Sequence, residues 1–409
     1  MGRSMGETTI PRGGRVRLGT VDGDLRVGSN VRITADGTVR VSGRAQFEGS
    51  AEIDGSFESR EFRGEDASVV VNGDLVVHGP LHVEDGNLEV QGKLDAQDVD
   101  VDRRLHVRGP ATASQIEVGG AFQADSIVTA REISVGGTMV ARGTVTASRV
   151  EAGGSVDVAD VAVDRLEAGG RIRLLSGSVK DRIEVGGQFV AEGPLAFGKL
   201  EAGGQIELGG DAKGQEIEVG GTFRANGSLE FESLEVGGIG EIRGTARGSR
   251  VEIGGILRCG ASLELSDSLE VGGQVEVIGD LEADRVQVGG KLRAHKILAR
   301  TRIEVGGHLQ SQVGTKSAEL VLGRRSQALG PLVGGRVQLR TRSRAEDIYG
   351  NLVDLENDTE AARIVAEIVR IGPGARVGEV VYSQQATIDP SARIARPPRR
   401  ATDLGPFPL

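Results

Sequence analysis

A five-residue pattern of apolar, polar, small apolar, Gly, Gly is written twelve times along this chain. It starts at Ile116, Ile133, Val150, Leu166, Ile183, Leu200, Ile217, Leu234, Val251, Leu269, Val286 and Ile303. Nine of the eleven intervals are seventeen residues, and the other two are sixteen and eighteen. A unit of this size is too short for a helical repeat, which needs about thirty residues or more, or for a propeller blade, which needs about forty.

Counting the first apolar residue of a copy as position 1, apolar or small residues also fall at positions 3, 7, 9, 13 and 15. In the copy at Ile183 these are Ile183, Val185, Phe189, Ala191, Leu195 and Phe197. Residues two apart in a strand share a face, so each pair marks a short strand with its apolar side turned inward. Three such strands close one coil. A single coil buries too little to hold itself, so coils must stack at about 4.8 Å, with like residues forming ladders through the interior.

The expectation is therefore an all-β, three-sided parallel β-helix, or β-solenoid, with about 17 residues per coil and about 20 coils. At about 4.8 Å per coil it would be roughly 90 to 100 Å long. Phe122, Phe189 and Phe223 share position 7, and Phe197 and Phe231 share position 15, so each set should line up along the axis. The composition agrees with a narrow core: among 409 residues there are 64 Gly, no Trp, two Tyr and nine Phe. Charged residues make up 26% and are well mixed with alternating apolar ones, which argues against disorder.

The pattern divides the chain into a flexible N-terminal tail (1–15), less regular leading coils (16–115), the regular block (116–323), C-terminal coils (324–394) and a disordered Pro- and Arg-containing tail (395–409). Among the leading coils, "VVVNGDLVVHG" from Val69, "LEVQGKLDA" from Leu88 and "VDVDRRLHVRG" from Val99 keep the alternation with their glycines replaced. After Gly323 the register is harder to follow, although "EIVRIGPGARVGEVVYSQQATIDPSARI" from Glu367 again alternates and turns at Gly and Pro. The last segment, "ARPPRRATDLGPFPL", is expected to stay out of the ladder because proline cannot donate to it.

Short strands punctuated by "VGG", mixed charge, few aromatics and the closing "VRIGPGARVGEVVY" resemble the bactofilins, polymer-forming cytoskeletal proteins, over about residues 69–394. The resemblance implies a right-handed β-helix that polymerises end to end without nucleotide. This chain would be an unusually long member, since a typical one has about six coils. The apolar membrane-targeting N-terminus of some relatives is missing here.

Each motif with chemical potential also has a structural reading. Paired glycines can form an anion-binding nest, yet no Gly-x-x-x-x-Gly-Lys-[Ser/Thr] string occurs. Their recurrence marks Gly119, Gly120, Gly136, Gly137, Gly153, Gly154, Gly186, Gly187, Gly220, Gly221, Gly306 and Gly307 as corners, where a missing Cβ allows a tight turn and close coils. Position 2 is Glu in most copies, and two places earlier stand Arg149, Arg165, Arg182, Lys199, Arg250, Arg285 and Arg302. These columns predict ladders of opposite charge on an outer face rather than a calcium site. The five histidines, His78, His82, His106, His295 and His308, follow no coil interval, so no metal site is expected. Cys259 falls at inward position 9 and should be buried and inert.

Arg324, Arg325, Arg336, Arg340, Arg342 and Arg344 lie in a stretch without acids and are the candidate contact for an acidic partner. A net charge of -10 argues against specific nucleic-acid binding. No apolar run of signal-peptide or membrane-spanning length occurs, the lone cysteine fits a reducing compartment, and Gly6 stands where a myristoylation pattern wants Ser or Thr. The expected function is structural: a cytoplasmic, self-assembling cytoskeletal or scaffold protein, with no catalytic site and no cofactor. Its expected partner is another copy of itself stacked end to end, with a membrane surface or other proteins reached through the tails. The alternatives are a β-helix binding module or a surface adhesin, ahead of a hexapeptide-repeat-like enzyme.

Overall fold

The computed structural model describes residues 6–408. Their strands are all parallel, with no helix, and stack as a β-solenoid of about 23 turns spaced about 17 residues apart. Two compact units divide the chain, Met1–Gly203 and Gly204–Leu409.

In the first unit the strand Thr138–Ala152 displays the plan of a turn. It pairs with Ser155–Ala168 in three separate stretches, through Met139↔Val156, Val145↔Val161 and Val150↔Leu166. Each stretch is one side of the coil, and the residue named in it is buried, as the alternation predicts. The sixteen-residue interval is absorbed at a corner, where Arg142 and Gly143 between two sides are answered by Ala159 alone. In the second unit the eighteen-residue interval is absorbed in the same way, Ser249 being answered by Ser266 and Asp267. Inward positions keep their register because length changes fall at corners, where no side chain enters the core.

The aromatic ladders hold in part. Phe122 and Phe189 occupy one column of the first unit, but Met139, Val156 and Ile172 stand between them. The stacked ring cluster is elsewhere, in the leading coils: Phe47 and Phe62 stack at 4.7 Å, and Phe57 meets them edge-on at 5.8 and 6.0 Å. In the second unit Phe231 lies against Gly248, where an added Cβ would come within 2.3 Å of the ring. The sequence "LEVQG" at Leu88 looks like a copy of "LEVGG", yet Leu88 pairs with Leu105, which pairs with Phe122. It therefore belongs to the side that carries position 7, not position 1.

Both expected tails differ from expectation. Residues 1–5 of the N-terminal segment lie outside the described residues, and Glu7–Ile10 is a strand paired with Asp24–Val27. At the C-terminus Arg399–Arg400 pairs with Val381 and Tyr382, and Ala395 and Arg396 donate their N–H groups to the carbonyls of Val377 and Gly378. The two prolines precede this short strand instead of excluding it, since Pro397 and Pro398 sit at the corner.

Beyond Gly323 the turns continue, with Leu320, Val337, Val353 and Val369 in one column. The register was hard to read because the corner changes. The Gly-Gly pair gives way to a turn with one left-handed residue, at Arg325, Arg342, Asp358 and Gly374 on successive turns. The next residue points inward and is buried as Ser326, Ser343, Thr359 or Ala375. The Ser326 and Thr359 hydroxyls donate to the carbonyls of Gly323 and Glu356, which satisfies them inside the core.

None of the paired corner glycines has a left-handed φ. Their requirement is axial proximity alone: a Cβ on Gly186 would lie 2.3 Å from the carbonyl oxygen of Gly169 one turn earlier. Gly186→Ala is therefore expected to destabilise the protein by about 1–3 kcal/mol through overpacking. Gly19→Ala, with nothing within 4 Å of its added methyl, should melt like the parent. Thermal unfolding of the two variants checks this, and equal melting would contradict the close-approach account.

Candidate functional site

The Gly-Gly corners were the first candidates for a binding site, and in most pairs the backbone donor of the first glycine is already engaged. Gly136 donates to Val118 at 2.8 Å and Gly137 to Gly120 at 3.0 Å. Gly153 and Gly154 repeat this on Val135 and Gly137, and Gly186 donates to Ala168 at 3.1 Å. Gly306 donates to Val288 in the second unit. An anion nest needs successive N–H groups turned together toward the ligand; here the N–H of the first glycine runs along the axis to the preceding turn, so the pair does not present its two donors together.

The outer charge ladders form as expected. Glu151, Glu167, Glu184 and Glu201 stack in one column of the first unit, beside Arg149, Arg165, Arg182 and Lys199. Arg149 reaches Glu151 at 3.0 Å and Glu167 at 3.1 Å, and Arg182 reaches Glu184 at 3.1 Å and Glu201 at 2.6 Å. One guanidinium thus serves a carboxylate of its own turn and one of the next, offsetting repulsion within the glutamate column. In the second unit Arg302 does the same with Glu304 and Glu319.

The basic stretch is divided by the fold. Arg340 pairs with Glu304 at 3.4 Å, Arg342 with Asp358 at 3.8 Å and Arg344 with Glu360 at 3.0 Å, so half of the candidate acidic-partner contact is met by acids of neighbouring turns. Among the described residues Arg324, Arg325 and Arg336 make no ion pair. Arg336 stands beside Glu319 in register, whereas Arg324 and Arg325 lie on the corner that carries the left-handed turn.

The histidines do not converge. His78 lies 3.0 Å from Glu58, His82 2.7 Å from Asp100, His106 3.1 Å from Asp125 and His295 2.9 Å from Gln312. No group of three or more potential metal ligands occurs among the described residues. Cys259 is buried as predicted, and burial pushes its thiol pKa up, which keeps it protonated. Among the described residues no helix is long and apolar enough to cross a membrane.

Two further features stand beside these candidates. The first, which end-to-end stacking already requires, is the pair of ladder edges. Among the described residues, Glu7–Ile10 and Arg15–Val21 of the first turn pair with Asp24–Val27 and the strand Val31–Glu48 alone. In the last, Arg393–Ile394 and Arg399–Arg400 pair only with Arg376–Ile388. The second is an apolar outward stripe in the second unit, signalled by strands that stop alternating, such as Ile364-Val365-Ala366, all buried. A cavity of about 890 Å³ opens on this side, beside Val333 and Phe407.

Compared with known proteins, the chain matches no protein-family model, no curated protein and no solved structure.

The ladders link stability to pH. A hydrogen bond with His78, then one from Arg40, lowers the pKa of Glu58 below its usual 4.5, and a hydrogen bond with His106 lowers that of Asp125 below 3.8. A carboxylate lowered in the folded state stabilises it above the unfolded pKa, and that contribution disappears as pH falls through the folded value. Melting temperature should hold between about pH 6 and about pH 5 and fall below about pH 4, less steeply in the Glu58→Gln, Asp125→Asn double variant. Melting curves across this range check it; an identical fall in both proteins would contradict the assignment.

Proposed function

We propose that this protein is structural, a self-assembling scaffold or filament protein of the bactofilin kind whose turns stack on those of another copy without nucleotide. The observation that supports this reading is the parallel ladder itself, in which each inner turn pairs with the turn before it and the turn after it. Inside each unit every turn is held by the turn before and the turn after, and an edge strand presents the same N–H and C=O groups to any matching chain. A second copy supplies the matching spacing. The engaged N–H of the first glycine at most corners and the scattered histidine pairs favour this over a catalytic role. The single buried cysteine fits work in the cytoplasm.

Charge sets the conditions for such contacts. The first described turn holds Arg12, Arg15 and Arg17 against Glu7 and Asp22, and the last holds Arg393, Arg396, Arg399 and Arg400 against Asp389. Both ends are net positive, so bringing them together is opposed at low salt and eased as screening shortens the Debye length to about 8 Å at 0.15 M. Sedimentation velocity and negative-stain microscopy without nucleotide should show assemblies that grow with protein concentration and with salt. Uniform monomers at high concentration and 0.15 M or higher salt would overturn the proposal.

A further inference from the structure

The third side of the coil changes character along the second unit. At its outward position earlier turns carry Glu264, Glu282, Leu298 and Lys316, and later ones carry Val333, Tyr349, Val365 and Val381, all in one column. Glu264, Glu282 and Lys316 are exposed, as outward residues should be. Val333, Val365 and Val381 point the same way and yet are only 4%, 5% and 3% exposed.

The C-terminal segment accounts for the difference. Ala401 donates its N–H to the Tyr382 carbonyl at 2.8 Å, and the Phe407 ring lies 6.2 Å from that of Tyr349, so the residues between them cross the turn of Val365. Phe407 also borders the cavity beside Val333. Ala401, Leu404 and Phe407 are half-buried and recur every third residue, while Thr402, Asp403, Gly405 and Pro406 are exposed, so one edge of the segment lies against the coil.

The way this segment is held sets it apart from the turns. Among the described residues no backbone hydrogen bond beyond Ala401 joins it to the coil. The Gly405 N–H is donated to the Asp403 carboxylate at 2.9 Å, within the segment itself, and Pro406 and Pro408 have no N–H to give. The stretch past Ala401 therefore rests on the stripe through side chains, and it can lift away without breaking a ladder. What it would leave behind is an apolar column across four successive turns, from Val333 to Val381. Exposed apolar patches of this kind promote association.

We propose that residues 401–408 are an autoinhibitory strap, which covers the outward stripe of Val333, Tyr349, Val365 and Val381 and so holds back side-by-side association of the chain. The inference concerns the lateral face of the coil and does not depend on end-to-end stacking.

The test opens the strap in the full-length protein with the double substitution Leu404→Ser, Phe407→Ser, which removes its apolar grip and adds no charge. The opened protein should enhance the fluorescence of anilinonaphthalene sulfonate, a dye that reports exposed apolar surface, several-fold over the parent. In sedimentation velocity it should form larger species than the parent at the same concentration and salt. Adding Val365→Lys, which charges the stripe, should return sedimentation to that of the parent, and circular dichroism checks that both variants keep their β-structure. Unchanged dye fluorescence, a rise in fluorescence without association, or association that persists with Val365→Lys would each overturn the proposal. Loss of β-structure on opening would overturn it too, because the segment would then support the coil and not merely cover it. End-to-end assembly is read separately, as growth common to the parent and both variants, so its absence would count against the self-assembly reading alone.

Discussion

Hydrogen bonding of backbone N–H groups to the carbonyls of the adjoining turns is the constraint on which the rest of this structure depends. It sets the distance between turns, and that distance decides what each position will accept. At the Gly-Gly corners the chains approach so closely that a Cβ on Gly136 would fall 2.1 Å from the Gly119 oxygen. At the sides, like residues are placed directly over like. An apolar column gains from that arrangement, whereas a glutamate column is tolerated only where a basic column runs beside it, as Arg182 between Glu184 and Glu201 illustrates.

The same ladder explains why features that suggest chemistry in a short stretch lose it in the fold. Paired glycines after a β-run imitate the opening of a phosphate loop, but in most pairs the parallel ladder already occupies the N–H group of the first glycine. A run of arginines imitates a docking patch, but turns spaced about 17 residues apart bring Asp358 beside Arg342 and Glu360 beside Arg344. Proximity along the axis supplies partners that proximity in sequence conceals. What escapes the ladder is whatever lies on its outside: the outward position of the third side and the strand edges.

The fold class was legible because the inward pairs recur with so few exceptions, and Ile183, Val185, Phe189, Ala191 and Leu195 are all buried at 3% exposure or less. Register was less legible wherever one side can pass for another. "LEVQG" at Leu88 matches the corner motif in composition, but alternation has the same period on every side, so it carries no mark of which side it occupies. The Phe47, Phe57 and Phe62 cluster was hidden for a related reason, since these rings meet across sides and turns and share no repeat position. Most hidden was the C-terminal segment. Its prolines do disfavour a ladder, but the outward valines of the third side offer burial that does not require one.

The first and last described turns are not equivalent in what they would offer a pairing chain. At the first described turn Arg15–Val21 is a seven-residue strand without proline, whose pairing shifts register between Leu18 and Thr20. At the last, pairing is reduced to the two-residue strands Arg393–Ile394 and Arg399–Arg400, separated by Pro397 and Pro398 and dense in arginine. Short strands, prolines and positive charge are the features by which edges are protected against indiscriminate pairing. An assembly built from these edges would therefore join a permissive surface to a guarded one. The guarded surface would set the strength of the contact, because an interface is limited by the partner that offers fewer free backbone groups. The segment that follows Arg400 then runs away from that edge and onto the outward valines, so the residues best placed to obstruct stacking are held against the side of the coil instead.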